Sequence, residues 1–162
     1  MPNARCLILL LLGLVLTGCG FRLAGTESLP PELARIHLVT SNFNKQQRDV
    51  LRKRLNQAGA QLVEQAASDA VQLRVNLRVL PTMRLVTSAS SGRTVDRLAR
   101  SLNFSIKDGA GNPLAPARTL TRQKDIVLDD DKLLSSSQER RNVIADLEAA
   151  LFDQLVHQLK RN

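Results

Sequence analysis

The stretch Val71-Gln72-Leu73-Arg74-Val75-Asn76-Leu77-Arg78-Val79 decides the fold of this chain. Apolar residues occupy every second position without a break, and the positions between them are polar or charged. Because the side chains of a strand point alternately to opposite faces of a sheet, this pattern predicts a strand with one buried and one wet face. Such strands are typical of antiparallel sheets that are covered on one side.

A second long strand is predicted on the C-terminal side of this stretch. The small residues 88–92 are typical of a hairpin tip, and the strand then runs from about Thr94 to Lys107. Arg100 falls on the apolar side of this strand near the tip, which predicts that the apolar face is open there. The remaining residues of that face are apolar: Leu98, Leu102, Phe104 and Ile106.

A dense turn cluster at residues 108–113 separates this strand from a weaker one at Thr119–Leu128. In the weaker strand Arg122 and Lys124 share a face with apolar neighbours, which is typical of an edge strand. A further short strand is predicted upstream, at residues 36–39.

Two helices are predicted from apolar spacing. Residues 45–58 carry one apolar stripe and stop at Gly59, a residue common just after helices. Residues 136–139, Ser-Ser-Gln-Glu, fit the capping box that begins many helices. The apolar stripe behind it has a spacing of three and four residues, at Ile144, Leu147, Leu151, Leu155 and Leu159.

The order of elements predicts an α+β fold: a four-stranded, mostly antiparallel sheet with two helices packed on one face. We assign residues 33–162 to this single domain. Residues 19–32 are rich in Gly and Pro and are predicted to be a tether.

Residues 1–18 have the composition of a secretory signal peptide. A basic start is followed by an apolar run from Cys6 to Leu16, which is too short to cross a bilayer. Leu16-Thr17-Gly18-Cys19 resembles the bacterial lipobox, which favours lipidation of Cys19 over ordinary secretory cleavage. Gly20 rather than Asp follows Cys19, and by resemblance to the lipoprotein sorting rule this favours the periplasmic side of the outer membrane.

Loss of Cys6 with the signal and alkylation of Cys19 would leave no free thiol for a disulfide, a metal or a nucleophile. The net charge of +8 suits phosphate-rich partners. Nucleic acid fits poorly, because an exported chain with four Phe and no Trp or Tyr offers little base stacking. Anionic lipids of the outer membrane fit better.

No catalytic constellation is evident, so we expect no enzyme activity and no cofactor. His37 and His157 are better explained as surface or hydrogen-bonded residues than as metal ligands. The acids at residues 129–131 lack the glycine and the distal glutamate of a calcium loop, and favour a solvated loop before a helix. Gly109-x-Gly111 has no helix after it and is predicted to be a turn.

The basic residues are the most informative group. Acids are scarce between Asp69 and Asp125, while arginines gather on the central hairpin and the next strand. Each single arginine is best explained as part of a solvated face, but the set suggests phosphate recognition. The candidate phosphate-binding residues are Arg93, Arg97, Arg100, Arg122 and Lys132.

The start of the predicted mature chain resembles that of the LptE family of lipopolysaccharide-assembly lipoproteins. The lipobox Cys19 is followed by Gly20-Phe21-Arg22-Leu23 and then by Leu29-Pro30, and the order of strands and helices agrees over nearly the whole mature chain. The resemblance implies a non-enzymatic plug inside the LptD outer-membrane β-barrel, which assists barrel assembly and binds lipopolysaccharide. It makes the five cations the candidate lipopolysaccharide-binding residues: Arg93, Arg97, Arg100, Arg122 and Lys132.

One departure from the family weakens the lipid part of this expectation. In the family, lipopolysaccharide binding is tied to one basic residue at the hairpin tip and another just before the last helix. By motif order those places are taken here by Ser90 or Ser91 and by Ser136, and the nearest cations are Arg93 and Lys132. The alternative is an accessory envelope lipoprotein that recognises a protein or glycan without a lipopolysaccharide role.

Overall fold

The stretch Val71–Val79 is a strand in the computed structural model, which describes residues 28–88, 93–129 and 133–161. The α+β class is confirmed. The strands are β1 Arg35–Ser41, β2 Gln61–Val63, β3 Val71–Val79, β4 Met83–Ser88, β5 Arg93–Lys107 and β6 Pro113–Asp129. The helices are a 3-10 turn at Pro31–Leu33, α1 Lys45–Gln57 and α2 Leu133–Lys160.

The strands form one sheet of six, so the expectation of four strands is wrong. β1 lies between β2 and β3 and is parallel to both, while β5 is antiparallel to β3, β4 and β6. The two additional strands give weak sequence signals: β2 has only three residues, and a bulge between Arg84 and Val86 breaks the alternation in β4.

β5 is the strand that joins the whole sheet. β6 pairs with it along almost its full length, from Arg93 to Lys107. On its other side β3 pairs with residues 100–107 and β4 with residues 93–97, so these two strands follow one another along the same side of β5. Pro81 lies in the break between them, where its missing N–H prevents continued pairing.

Both helices pack on one face of the sheet. α1 begins with a capping box in which Asn44 and Gln47 exchange side chain to backbone hydrogen bonds of 2.8 Å. It ends before Gly59, whose φ of 94° explains the glycine predicted there. α1 buries Leu51 and Leu55 completely. Just before α1, the ring of Phe43 stacks on Phe152 of α2 with the centroids 5.6 Å apart.

The predicted capping box at residues 136–139 is wrong. α2 already begins at Leu133, so Ser136 lies within its first turn. The Ser136 hydroxyl is instead within 3.3 Å of both the backbone N–H and the carbonyl of Asp129. It therefore joins the start of α2 to the end of β6, an alternative use of a hydroxyl that competes with capping.

The turn predicted at residues 108–113 is confirmed. The Asp108 carboxylate accepts hydrogen bonds from the backbone N–H groups of Ala110 and Asn112 and from the Asn112 amide, and these bonds lower its pKa, the Asn112 amide contributing most. A Cβ on Gly109 would lie 2.2 Å from the Ser68 carbonyl oxygen, so the turn packs directly on the loop before β3.

The buried apolar residues form two clusters. The larger one contains twenty residues, most of them from β1, β3, the adjoining part of β5, α1 and the C-terminal half of α2. It also includes Leu29, whose N–H donates to the Ala58 carbonyl at 2.9 Å, so part of the segment predicted as a tether packs on the core. The smaller cluster consists of Leu98, Ile126, Val143 and Leu147.

Candidate functional site

β5, β6 and α2 extend beyond the ends of β1, β3 and α1. We call this extension the distal half: β4, residues 93–99 of β5, residues 123–129 of β6 and residues 133–147 of α2. The rest of the domain is the proximal half. The predicted cations Arg93 and Arg97 are in the distal half, while Arg100 and Arg122 lie just at its border.

Arg93 and Arg97 lie on the face of the sheet that no helix covers, which we call the open face. Arg93 is exposed, opposite Asp129 in the β5–β6 ladder. Arg97 donates two hydrogen bonds to the Asp125 carboxylate, of 2.7 and 2.8 Å. These bonds hold the pKa of Asp125 below its ordinary value and raise the pKa of Arg97. The charge of Arg97 is therefore largely neutralised by Asp125.

The expectation that the apolar face is open at Arg100 is wrong. Arg100 is 8% exposed, because α2 covers it. Its Nε donates to Glu148 at 3.4 Å and its Nη1 to the Ala99 carbonyl at 3.0 Å. Glu148 also accepts a hydrogen bond of 2.8 Å from Gln47 of α1. Arg100 thus connects the sheet to both helices and is not available to bind a lipid.

Arg122 lies opposite Arg100 in the ladder, on the helix-covered side, and is exposed. It donates to the Gln154 side chain at 3.1 Å, as Arg118 does to Gln158 at 2.8 Å. β6 pairs only with β5 in the described part of the chain, which agrees with its prediction as an edge. Cys19, Ser90, Ser91 and Lys132 lie outside the described residues.

The sequence analysis missed a buried carboxylate in the distal half. The side chain of Asp96 is 3% exposed and accepts hydrogen bonds from two arginines. Arg140 of α2 lies 2.8 Å from Oδ2, and Arg84 of β4 lies 3.3 Å from Oδ1. Asp96 thereby fastens β4 to α2 across β5. The sequence contained a signal for this residue, because Asp96 is two residues before Leu98 in β5 and therefore points to the same inward face.

Exposed large apolar side chains gather in and beside the distal half. Val86, Val95 and Val127 are directly opposite one another on three neighbouring strands, on the open face. Val86 is 57% exposed and Val127 54%. Met83 is on the same face, opposite Arg97 and two residues further along β5, and Leu85 is the extra residue in the bulge. Among the described residues, Leu114 is the one large exposed apolar side chain far from this region.

The described residues contain no group of three or more His, Cys, Asp or Glu side chains placed to hold a metal ion. None of the helices described is long and apolar enough to span a membrane. His157 is exposed, as predicted, whereas Nδ1 of His37 is buried in β1 without a hydrogen-bond partner. We find no chemical use for it.

Neither a protein-family profile nor a curated protein sequence matches the chain. Solved structures do match. A minor lipoprotein from Acinetobacter baumannii is 22% identical with a TM-score of 0.64, over 80% of this chain and 92% of the other. The rare lipoprotein B from Shewanella oneidensis is 16% identical with a TM-score of 0.65, over 77% and 92%.

A lipoprotein B from Nitrosomonas europaea is 20% identical with a TM-score of 0.57, over 87% of this chain and 90% of the other. The chain therefore has a fold that occurs in lipoproteins of three bacteria.

Proposed function

We propose that this protein is an outer-membrane lipoprotein of the LptE type that occupies the lumen of the LptD β-barrel and assists insertion of lipopolysaccharide into the outer leaflet. The observation that carries the proposal is a sheet with one face left uncovered, in a domain that follows a lipobox. The shared fold of three bacterial lipoproteins supports the lipid anchor.

The open face has the chemistry of a surface that packs against polar walls. Around its centre it presents short polar side chains, Asn76, Asn103, Ser105, Thr119 and Thr121, beside the exposed arginines Arg74 and Arg78. The lumen of an outer-membrane barrel is polar as well. A face of this kind can exchange hydrogen bonds with the barrel wall, and acids of the wall can pair with its two arginines.

Site-specific photocrosslinking in the native envelope tests the plug. A photoreactive residue at Asn103, exposed on the open face, should crosslink to a large outer-membrane barrel that mass spectrometry identifies as LptD. The matched control is the neighbouring Leu102, which is 0% exposed beneath the helices and should give no such product. Crosslinks from Asn103, Thr119 and Thr121 to other proteins alone would favour the alternative, an accessory envelope lipoprotein.

Lipidation has its own test. The mature N-terminus should carry acyl chains on Cys19, and Cys19→Ala should accumulate as an unlipidated precursor. Intact-mass analysis of the membrane-extracted protein decides the matter, and a mature N-terminus without acyl mass would refute the anchor.

Within this proposal, Arg93 is the best-placed of the described cations for lipopolysaccharide, and Lys132 stays a candidate from the sequence. Arg93→Glu should weaken lipopolysaccharide binding most at low salt, because exposed charges are screened by ions. Arg74→Glu, which alters an exposed arginine of β3, is the control. Equal binding by the two variants at low salt would remove Arg93 from the site.

A further inference from the structure

β6 is the longest of the edge strands in the described part of the chain. It pairs there with β5 alone, and this pairing is regular and unbroken from Arg118 to Asp129. Both prolines of the strand, Pro113 and Pro116, come before that stretch. The other edge strands offer less backbone, since β2 has three residues and β4 has six with a bulge. Residues 118–129, which we call the β6 edge, are therefore a backbone that another strand can join.

The β6 edge is cationic on the side of the sheet that the helices cover. Arg118, Arg122 and Lys124 lie on that side and are exposed. Arg118 donates to the Gln158 side chain at 2.8 Å and Arg122 to the Gln154 side chain at 3.1 Å. Because these partners are neutral amides, the two arginines keep their charge. Opposite charges on neighbouring strands attract, so the edge favours a strand that carries acids.

The open-face side of the same edge has a different character. Thr119, Thr121 and Gln123 are exposed and uncharged, and the carboxylate of Asp125 is held by Arg97 through bonds of 2.7 and 2.8 Å. Successive side chains of a strand point to opposite faces of the sheet. A matching strand therefore has acids at every second position, on the helix-covered side, and uncharged residues between them.

We propose that the β6 edge binds an extended, acidic protein segment as an additional strand of the sheet. Backbone hydrogen bonds to residues 118–129 hold the segment, and its Asp or Glu side chains pair with Arg118, Arg122 and Lys124. This inference goes beyond the proposed function, because it uses the edge of the sheet instead of its open face and requires neither the barrel nor lipopolysaccharide.

Two other occupants match the edge less well. A second copy of this chain that added its own β6 about a two-fold axis would bring Arg118, Arg122 and Lys124 of the two copies together, and like charges on neighbouring strands are destabilising. A phosphorylated ligand would bind the three cations but would leave the backbone of the edge unpaired. It is distinguished by a ligand of equal charge that cannot form a strand.

The test measures binding of two synthetic peptides to the full-length lipidated protein in detergent. The first has about twelve residues, the length of the β6 edge, with Glu alternating with Thr or Val. The second has the same charge, but two central Thr are replaced by Pro, which prevents strand pairing. The first should bind about tenfold more tightly. Equal binding of the two would indicate a general anion site and overturn the proposal, as would no binding of the first.

Hydrogen–deuterium exchange locates the added strand. The first peptide should slow the exchange of backbone amides in residues 118–129 and leave those of β2 and β4 unchanged, because pairing protects the N–H groups of the edge that it uses. Slower exchange in β4 instead would place the strand on the other side of β5 and refute the assignment to β6.

A charge exchange tests the side chains. The double variant Arg122→Glu with Lys124→Glu should bind the Glu peptide about tenfold more weakly. It should also bind a peptide with Lys in place of Glu better than wild type does, a gain that unfolding does not produce. The matched control, Arg74→Glu with Arg78→Glu, changes the net charge equally on β3 and should bind the Glu peptide within about twofold of wild type. An equal loss in this control would show that net charge alone attracts the peptide and would refute pairing at β6.

Discussion

The proximal and distal halves are built on the same strand with different interiors. Toward the proximal end, the inward positions of β5 are Leu102, Phe104 and Ile106, within a cluster of twenty buried apolar residues. Toward the distal end, inward positions include Thr94, Asp96 and Arg100, and the apolar cluster has four residues.

The two halves differ in which kinds of side chain they bury and which they expose. The distal half buries the charge of Asp96 against α2 and leaves Val86 and Val127 exposed, whereas the proximal half buries the larger apolar cluster. Buried ion pairs contribute little net stability compared with apolar packing of the same volume. The comparison indicates that apolar burial stabilises the proximal half more than the distal half.

The largest expected effect breaks the proximal half directly. Val75 is 1% exposed and Arg74 beside it is exposed, as the alternation predicts. Val75→Asp would place a charge in the apolar cluster and should lower the free energy of unfolding by several kcal/mol. Arg74→Asp should change it by less than about 0.5 kcal/mol. Urea denaturation measures both, and similar small losses would mean that the sheet face is misassigned.

A second comparison removes one leucine from each half. Leu55→Ala should cost about 3–5 kcal/mol, because Leu55 is fully buried in the larger cluster. Leu147→Ala, in the four-residue cluster, should cost about 2–3 kcal/mol. Amide exchange should show global loss for Leu55→Ala and loss confined to the distal half for Leu147→Ala. A larger loss for Leu147→Ala would reverse the proposed order of stability.

A third substitution affects the distal half alone. Asp96→Asn keeps the shape but turns an N–H group toward arginine donors, and should cost about 1–3 kcal/mol. Backbone amides of β4 should exchange faster, because Asp96 connects this strand to α2. Amides of β1 should be unchanged. Uniform faster exchange throughout the sheet would show that the two halves unfold as one unit.

The smallest expected effects concern two carboxylates with lowered pKa values: Asp108 in the proximal turn and Asp125 in the distal half. The folded state favours the charged form of each carboxylate, so each one stabilises the fold at pH values above its unfolded pKa of 3.8. This stabilisation is lost as the pH falls through the lower pKa of the folded state. NMR titration should show that Arg97→Gln raises the pKa of Asp125 and not that of Asp108. High salt should also raise the pKa of Asp125 more than that of Asp108, because the partner of Asp125 is a charged arginine.

Alternation in β3 and β5 was sufficient to predict which side chains face the helices, but not what would meet them there. Arg100 in the strand and Glu148 beside the apolar stripe of α2 each break an inward pattern, and their charges are opposite. Asp96 and Arg140 form a second such couple. Matching each charged residue at an inward position with an opposite charge on the facing element would have predicted both ion pairs. It would also have excluded Arg100 as a lipid ligand.

The strands that the sequence did not predict are short, interrupted or paired with a distant part of the chain. β2 is too short for a periodic signal and pairs with β1 from a separate part of the sequence. β4 is concealed by its bulge and by the break at Pro81. The lipid anchor and the barrel depend on partners, so their sequence signals stay predictions until those partners are tested.

The position of β1 also sets an order for folding. β5 and β6 meet across a turn, where Lys107 pairs with Pro113, so this hairpin closes a short loop and can form early. β1 cannot pair with β3 until the chain through β3 has been made, because α1 and β2 lie between the two strands in the sequence. Ile36 then pairs with Val71 in a parallel ladder. Non-local parallel pairing is slow. β1, the first of the described strands to be synthesised, is therefore among the last to be fixed, and a kinetic intermediate without β1 would leave the backbone edge of β3 unpaired and open to other chains.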